Sequence, residues 1–318
     1  MTAPRLSVVV VSWNTRDVLA DCLASVRRHL AGVTHEAIVV DNASADGSAE
    51  MVATAFPEVR LVRNAENVGF GRACNAGMAA ARAPWVLLLN SDARLVDDSL
   101  VALLDRLEAR REVAIAGPRL VGPDGLLQPS AHRFGTLGRL VLEELGLYKL
   151  LPRRHAAALF LGGYWAHGEE RPVDWVTGAC MLVRRDAFVR TGGFDPTIFL
   201  YGEDEEWCRR IRRAGFAVLF SPTAEVVHAG HVSAHRALGA AGRVGRCLAA
   251  GDALLRREHG ALAGVAPAIR VTGALLRLLA FRVRPASGDA RTLARWHAHT
   301  VLRHYGERAL RAWSREGA

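Results

Sequence analysis

The chain is short of cysteine, and the cysteines it has do not pair. Cys22, Cys74, Cys180, Cys208 and Cys247 are scattered, with neither a CxxC pair nor metal-type spacing. That excludes a disulfide framework and leaves small apolar residues suited to a reducing compartment. The opening stretch, MTAPRLSVVVVSWN, lacks the long apolar core of an export signal, so a cytoplasmic protein is expected. A Walker loop and a dinucleotide fingerprint are also missing: Asn67-Val68-Gly69-Phe70-Gly71 has the wrong spacing and no Lys-Ser/Thr pair. There is no internal repeat and no low-complexity linker. Net charge is lacking where a nucleic-acid reader would need it. Of the overall +9, residues 235–318 hold 15 Arg against 5 acidic residues, while 1–234 hold 26 basic and 27 acidic. A nucleic-acid-binding body carries its charge on the folded face that meets phosphates. Here the basicity belongs to the tail, without interleaved aromatics, and no specific nucleic-acid partner is expected.

Half of the 318 residues are apolar, enough for a substantial core. Short apolar runs at 6–11, 38–40, 59–62 and 85–89 read as strands buried on both faces of a parallel sheet. Between them lie helical patterns, such as Val18, Leu19, Cys22, Leu23 and Val26, with Thr15 a plausible N-cap. Ser44 and Asp46 open a second helix, and Ala73 to Ala81 form a small-residue third. The β-α-β-α-β-α-β order predicts an α/β fold, a mostly parallel central sheet with helices on both faces. A helix from Leu95 to Leu107 and a strand from Val113 to Ala116 continue it, then a hairpin at Asp124-Gly125. Val173 to Val183 reads as extended and broken at Gly178, and Val218–Phe220 and Val226–Val227 as two short strands.

This order puts Ser12, Asp41, Asn64 and Asp92 at the carboxyl ends of successive strands, along the rim where open α/β sheets bind ligands. Asp92 has a plainer reading as a helix cap, a job Asp97, Asp98 or Ser99 could also do. A second acidic centre, Glu203-Asp204-Glu205-Glu206, opens a helix. The helix dipole accounts for part of it, but four adjacent carboxylates repel, and a cation or reacting hydroxyl nearby would explain the density better. His228 ends a strand just beyond, as a metal-ligand candidate or a structural histidine. Asp92, Asp204 and His228 together suit a diphosphate-bearing substrate with Mg²⁺ or Mn²⁺, an imidazole ligand tilting the choice weakly to Mn²⁺. With a sugar on that diphosphate, a cation stabilises the leaving group and one carboxylate takes the proton from the attacking hydroxyl.

The blocks VVVVSWN (8–14), IVVDNASADGS (38–48), NAENVGFGRACNAG (64–77), WVLLLNSDA (85–93), WVTGACMLVRR (175–185) and GGFDPTIFLYGEDEEWCRRIRRAGF (192–216) occur in order, followed by SPTAEVVHAGHVS (221–233). Together they resemble family 2 of the inverting glycosyltransferases, in particular the rhamnosyltransferase-like branch that builds bacterial surface polysaccharides. The resemblance covers about 5–235 and implies a GT-A fold, with a nucleotide-binding half over about 1–117 and an acceptor half over about 118–234. By that similarity Asp41 contacts the nucleotide base beside the Ser12-Trp13-Asn14 turn, and Asn67 and Asn75 shape the nucleotide pocket. Asn90-Ser91-Asp92 stands at the DXD-type element, with Asn replacing the first carboxylate, which leaves Asp92 as the main metal ligand. Asp204 of Glu203-Asp204 takes the catalytic-base position, His228 joins the metal site, and Gly178 lies near the donor sugar. The implied partners are a nucleoside-diphosphate sugar, such as dTDP-rhamnose, and a lipid-linked or polysaccharide acceptor at the inner face of the cytoplasmic membrane. A non-catalytic nucleotide- or glycan-binding module is the alternative, disfavoured by the two acidic centres.

Residues 235–318 read as a basic, amphipathic helical extension. Its most apolar part, 261–279, is interrupted by Arg270 and Arg277 and is too charged for a comfortable span. Two readings remain open: docking on an anionic membrane surface, or packing on the body with arginines facing solvent.

Overall fold

The computed structural model describes residues 3–230, 232–283 and 289–316, with side chains left out for 231–238, 282–291 and 312–318. In chain order the elements begin with β1 (Leu6–Ser12), α1 (Arg16–His29), β2 (His35–Asp41), α2 (Ser48–Ala55), β3 (Arg60–Arg63), α3 (Phe70–Ala80) and β4 (Trp85–Asn90). They continue with β5 (Ala93–Leu95), α4 (Ser99–Glu108), β6 (Val113–Val121), β7 (Leu127–Gln128), β8 (Ala131–His132), α5 (Leu137–Glu144) and α6 (Arg153–Phe160). Next come β9 (Arg171–Val173), β10 (Trp175–Val176), β11 (Cys180–Arg184), α7 (Arg185–Thr191), α8 (Glu203–Arg213) and β12 (Ala217–His228). Three long helices end the chain: α9 (Val232–His259, broken at Gly239), α10 (Ala266–Val283) and α11 (Asp289–Glu316).

Among the described residues ten strands form one sheet, its main path running β3-β2-β1-β4-β11-β6-β12-β5. The apolar runs are continuous because both faces of the central strands are covered. Val8 and Val10 of β1 enter one core and Val9 the other, and Leu87 and Leu89 of β4 face away from Val86 and Leu88. One core takes Leu19, Cys22, Leu23 and Val26 of α1, Val52 of α2 and the leucines of α4. The opposite core takes Ala73, Cys74 and Met78 of α3 with Trp207, Cys208 and Ile211 of α8. Helix α3 lies so close to β1 that a Cβ on Gly77 would sit 2.3 Å from Val9 Cγ1.

Strands β1 to β4 run parallel, and their ends are in register: Ser12 pairs with Asp41, Asp41 with Arg63, and Val11 with Asn90. After β1 the chain builds outward through β2 and β3, then returns to lay β4 on the other side. That reversal opens a crevice at the carboxyl ends of β1 and β4.

Several sequence expectations change. The sheet is mostly parallel, as expected, but strand β11 enters between β4 and β6 antiparallel to β4. Ala93–Leu95 forms a strand paired with β12, and the helix expected from Leu95 starts at Ser99. The two short strands at 218–227 are one, β12, irregular between Ser221 and Glu225. Thr15 stands before α1 but makes no cap hydrogen bond.

The chain divides into two compact units, Met1–Phe134 with Leu161–Ser233, and Gly135–Phe160 with Ala234–Ala318. The second therefore also takes in a stretch that the sequence reading assigned to the acceptor half. Leu140 of α5 packs with Leu255, Ala263 and Ala266, while Leu248, Ala274, Ala298, Val301 and Tyr305 form a neighbouring cluster. Of the expected extension 235–318, residues 284–288 and 317–318 lie outside the described residues.

Candidate active site

The rim begins with the turn after β1. Ser12 is fully buried, and its hydroxyl meets that of Thr15 at 3.0 Å. Thr15 in turn donates to Ser91 at 2.9 Å, so three hydroxyls tie the end of β1 to the segment after β4. Neither Thr15 nor Ser91 is legible from sequence as part of this link. Trp13 and Asn14 follow, half-buried. Asn14 has φ 54, its N–H donates to Ser44 Oγ at 3.0 Å, and its Oδ1 accepts from Ala45 N at 2.7 Å. The first turn is thereby clasped to the loop after β2.

Asp41 ends β2 and is 4% exposed. Its Oδ2 accepts from Ser44 N at 3.1 Å, while Oδ1 is buried without a hydrogen-bond partner. Buried carboxylate oxygens are rarely left in that state, so Oδ1 is poised for a donor from a ligand. The neighbouring asparagines are spent on the scaffold. Asn42 Oδ1 accepts from Asn64 Nδ2 and Val68 N, and Asn42 Nδ2 donates to Asn67 Oδ1 at 2.8 Å. Asn67 Oδ1 also accepts from Gly69 N, which fixes the 64–69 loop. Asn75 clamps Phe194 with both ends of its amide, Nδ2 to the carbonyl at 2.7 Å and Oδ1 from the N–H at 2.9 Å.

Across the crevice, Asp92 and His228 meet. His228 Nε2 lies 3.3 Å from Asp92 Oδ1, with side chains 2% and 7% exposed. The pairing of β12 with β5 brings them together, placing His228 opposite Ala93. Asp92 is thus no helix cap; Asp97 serves the start of α4, accepting from Ser99 N. Gln128, from a hairpin strand 100 residues away, sets the imidazole. Its Nε2 donates to the His228 carbonyl at 2.8 Å, which turns its Oε1 toward Nδ1, also at 2.8 Å. Nδ1 must then be the donor, and a neutral ring offers the Nε2 lone pair toward Asp92. Asn90 Nδ2 reaches the same nitrogen at 3.4 Å, and its Oδ1 is buried without a partner. A lone pair and a carboxylate at this distance suit a shared cation, and an imidazole whose other nitrogen is held by an acceptor is the usual arrangement of metal-binding histidines. Among the described residues no group of three or more His, Cys, Asp or Glu could hold a metal. A cation here would therefore draw its remaining ligands from substrate and water.

The second acidic centre resolves into two pairs. Glu205 and Glu206 turn to Arg209 and Arg210 one turn on, at 2.6 and 2.7 Å, so half of the expected repulsion is neutralised within α8. Glu203 and Asp204 turn inward instead. Asp204 Oδ2 accepts from Gly178 N at 3.2 Å and Oδ1 from Glu205 N at 2.9 Å. Burial pushes its carboxyl well above the usual range. Glu203 is 5% exposed, its Oε2 has no partner, and burial plus the charge of Asp204 raise it as well. The loop before α8 meets the start of α3: Phe199 O accepts from Phe70 N at 3.2 Å, and a Cβ on Gly69 would lie 2.7 Å from that oxygen.

The two acidic centres are joined by a short path. Asp204 is bonded to Gly178 N, the next carbonyl, Ala179 O, accepts from Asn90 N at 2.9 Å, and Asn90 reaches His228 beside Asp92. Clusters far apart in sequence therefore meet at one end of the sheet. The nearby histidines take no part in this path. His167 is buried, donating from Nδ1 to Trp165 O. His132 stacks on Trp175 at 4.2 Å and is pushed down to about 4 by burial, so it stays neutral near pH 7.

The model of glycosyl transferase family 2 matches residues 7–189, which carry most of this rim. The chain belongs to that family. The transferase is 33% identical over 254 residues to the N-acetylglucosaminyl-diphospho-decaprenol L-rhamnosyltransferase of Mycobacterium tuberculosis, covering 72% of this chain and 81% of that protein. It is 28% identical over 174 residues to the rhamnosyltransferase WbbL of Escherichia coli, covering 51% and 61%. Among solved structures, the mannosyltransferase PcManGT of Pyrobaculum calidifontis, in complex with GDP-Man and Mn²⁺, superposes with a TM-score of 0.60 at 17% identity, over 96% and 87% of the two chains. That likeness bears out the GT-A type of fold.

Proposed function

We propose that this glycosyltransferase moves a sugar, rhamnose being the leading identity, from a nucleoside diphosphate to a hydroxyl of a lipid-linked or polysaccharide acceptor, with inversion. The observation that carries the reading is the path from Asp204 through Gly178, Ala179 and Asn90 to His228 and Asp92. The relative named for a diphospho-decaprenol acceptor supports a lipid-linked substrate and L-rhamnose.

Asp41 Oδ1 accepts from the base, with Trp13 and Asn14 beside it. Asn67 holds the wall of the nucleotide pocket, and Asn75 holds the segment that leads to α8. Asp92 and His228 would hold a divalent cation, Mn²⁺ or Mg²⁺, which when bound offsets the charge of the departing diphosphate. Asp204 takes the proton of the acceptor hydroxyl as its oxygen bonds to the anomeric carbon and the carbon–diphosphate bond breaks. Its raised proton affinity brings it nearer to that of a useful base at neutral pH. No protein acid is needed, because the leaving group departs as a diphosphate.

A panel of nucleotide sugars with Mn²⁺, scored for binding and for slow hydrolysis, tests the assignment. Asp204→Asn should lose transfer and keep nucleotide affinity; turnover at the wild-type rate would remove Asp204 as the base.

A further inference from the structure

Helix α10 is built the wrong way round for a helix facing water. Arg270 and Arg277 turn to carboxylates: Arg270 meets Asp252 at 3.3 Å and Glu144 at 3.5 Å, and Arg277 meets Glu144 at 2.6 Å. Its outward side carries Ala268, Thr272, Leu275, Leu276 and Leu279, spaced i, i+4, i+7, i+8 and i+11, which is a single stripe. Leu275, Leu276 and Leu279 are 53%, 47% and 59% exposed. The preceding turn adds Leu262 at 71% and Val265 at 51%. From Gly260 to Phe281 no exposed side chain is charged. The stretch Gly239–Phe281 contains a window apolar enough to cross a membrane by composition, yet only 22% of that window is buried.

We infer that this stripe is a membrane-insertion surface, on which α10 lies in the plane of an anionic bilayer with its leucines in the acyl boundary. Of the two readings open for residues 235–318, the stripe favours docking on an anionic membrane surface, through leucines. Arg270 and Arg277 are held in ion pairs, and they are not what would hold the chain to lipid. Their ion pairs leave the outward stripe free of charge, so the hydrocarbon contact carries the binding. Charge decides between lipid and a second copy of the chain. Residues 235–318 carry 15 Arg against 5 acidic residues, so two copies face to face would repel, whereas anionic headgroups would be attracted. Arg256, exposed near the end of α9, adds a cation just ahead of the stripe in the chain. The inference deepens the proposed function by naming the surface that brings the enzyme to a lipid-linked acceptor, and it rests on that reading for its purpose.

The test uses the full chain and vesicles of phosphatidylcholine with phosphatidylglycerol, at low salt and at about 0.5 M salt, where surface charge is strongly screened. Wild type is expected to co-float at both salts, and Leu275→Gln/Leu276→Gln/Leu279→Gln to bind roughly 100-fold more weakly with an unchanged melting temperature. In a second variant, Leu276→Trp, vesicles should shift the indole emission to the blue and brominated lipid should quench it. Equal binding of the triple variant and wild type, or an emission from the Leu276→Trp variant that vesicles leave unshifted, would overturn the inference. So would a wild-type dimer that the triple variant breaks, with no vesicle binding by either. Donor hydrolysis without acceptor is read alongside: hydrolysis without vesicle binding defeats this inference alone, and vesicle binding without hydrolysis defeats the transferase reading alone.

Discussion

Glu203 and Asp204 stand side by side where water is scarce, and burial raises the proton affinity of both carboxyls. A base works deprotonated, so the acid limb of transfer should lie above the ordinary carboxylate range of about 4; a pH profile of kcat/KM measures it. The same shift has a sign in stability. The folded chain holds these protons more tightly than the unfolded chain, so the pair's contribution falls as pH rises through the raised values. Asp204→Asn should therefore raise the melting temperature at pH 7 and leave it nearly unchanged near pH 3, while transfer falls by about 10²- to 10⁴-fold. On the other side of the site, Gln128→Leu should weaken cation-dependent nucleotide binding by about 10- to 100-fold, because the imidazole loses the acceptor that sets its tautomer. Titration of nucleotide with and without Mn²⁺ reads this directly. Gln128 could not have been found in the sequence: it sits in a two-residue strand whose partnership with His228 is purely tertiary. Asp41, Asp92 and Asp204 could be found, because each stands within two residues of the end of an element with a strong pattern.

Among the elements, legibility follows burial. Strands β1 and β4 read clearly because both faces are covered and the run of apolar residues is unbroken. Strand β5 does not, since Ala93-Arg94-Leu95 alternates over three residues and merges with the helical pattern behind it. The direction of β11 is invisible for another reason: Cys180 to Val183 is buried throughout, and a fully buried strand reads alike parallel or antiparallel. The division of β12 into two came from Ser221-Pro222-Thr223, turn-like residues that the strand absorbs as an irregularity. Close helix–sheet approach gives a sharper test. Gly77→Ala should destabilise the protein by about 1–3 kcal/mol in a denaturant melt, since its Cβ would collide with the β-branched Val9 on a central strand.

At the scale of the whole molecule, charge and apolar surface are sorted by unit. The first carries nearly balanced charge and the whole path between the acidic centres. The second holds a buried carboxylate, Asp252, 3% exposed and bonded to Arg270 and Tyr305, with Arg308 at 3.6 Å. Removing Asp252 leaves the Tyr305 hydroxyl and the mostly buried Arg270 short of a partner. Asp252→Ala should cost about 3–5 kcal/mol, seen as a lowered melting transition and faster proteolysis of α9 to α11.

That second unit is stitched from two separate lengths of chain, with Leu140 seated among Leu255, Ala263 and Ala266. A ribosome releases the first length long before the helices that shelter it exist. Until α9 and α10 emerge, α5 must wait with Leu140 uncovered, as a client for a chaperone or the nearest lipid. A version cut off after β12 would wait forever.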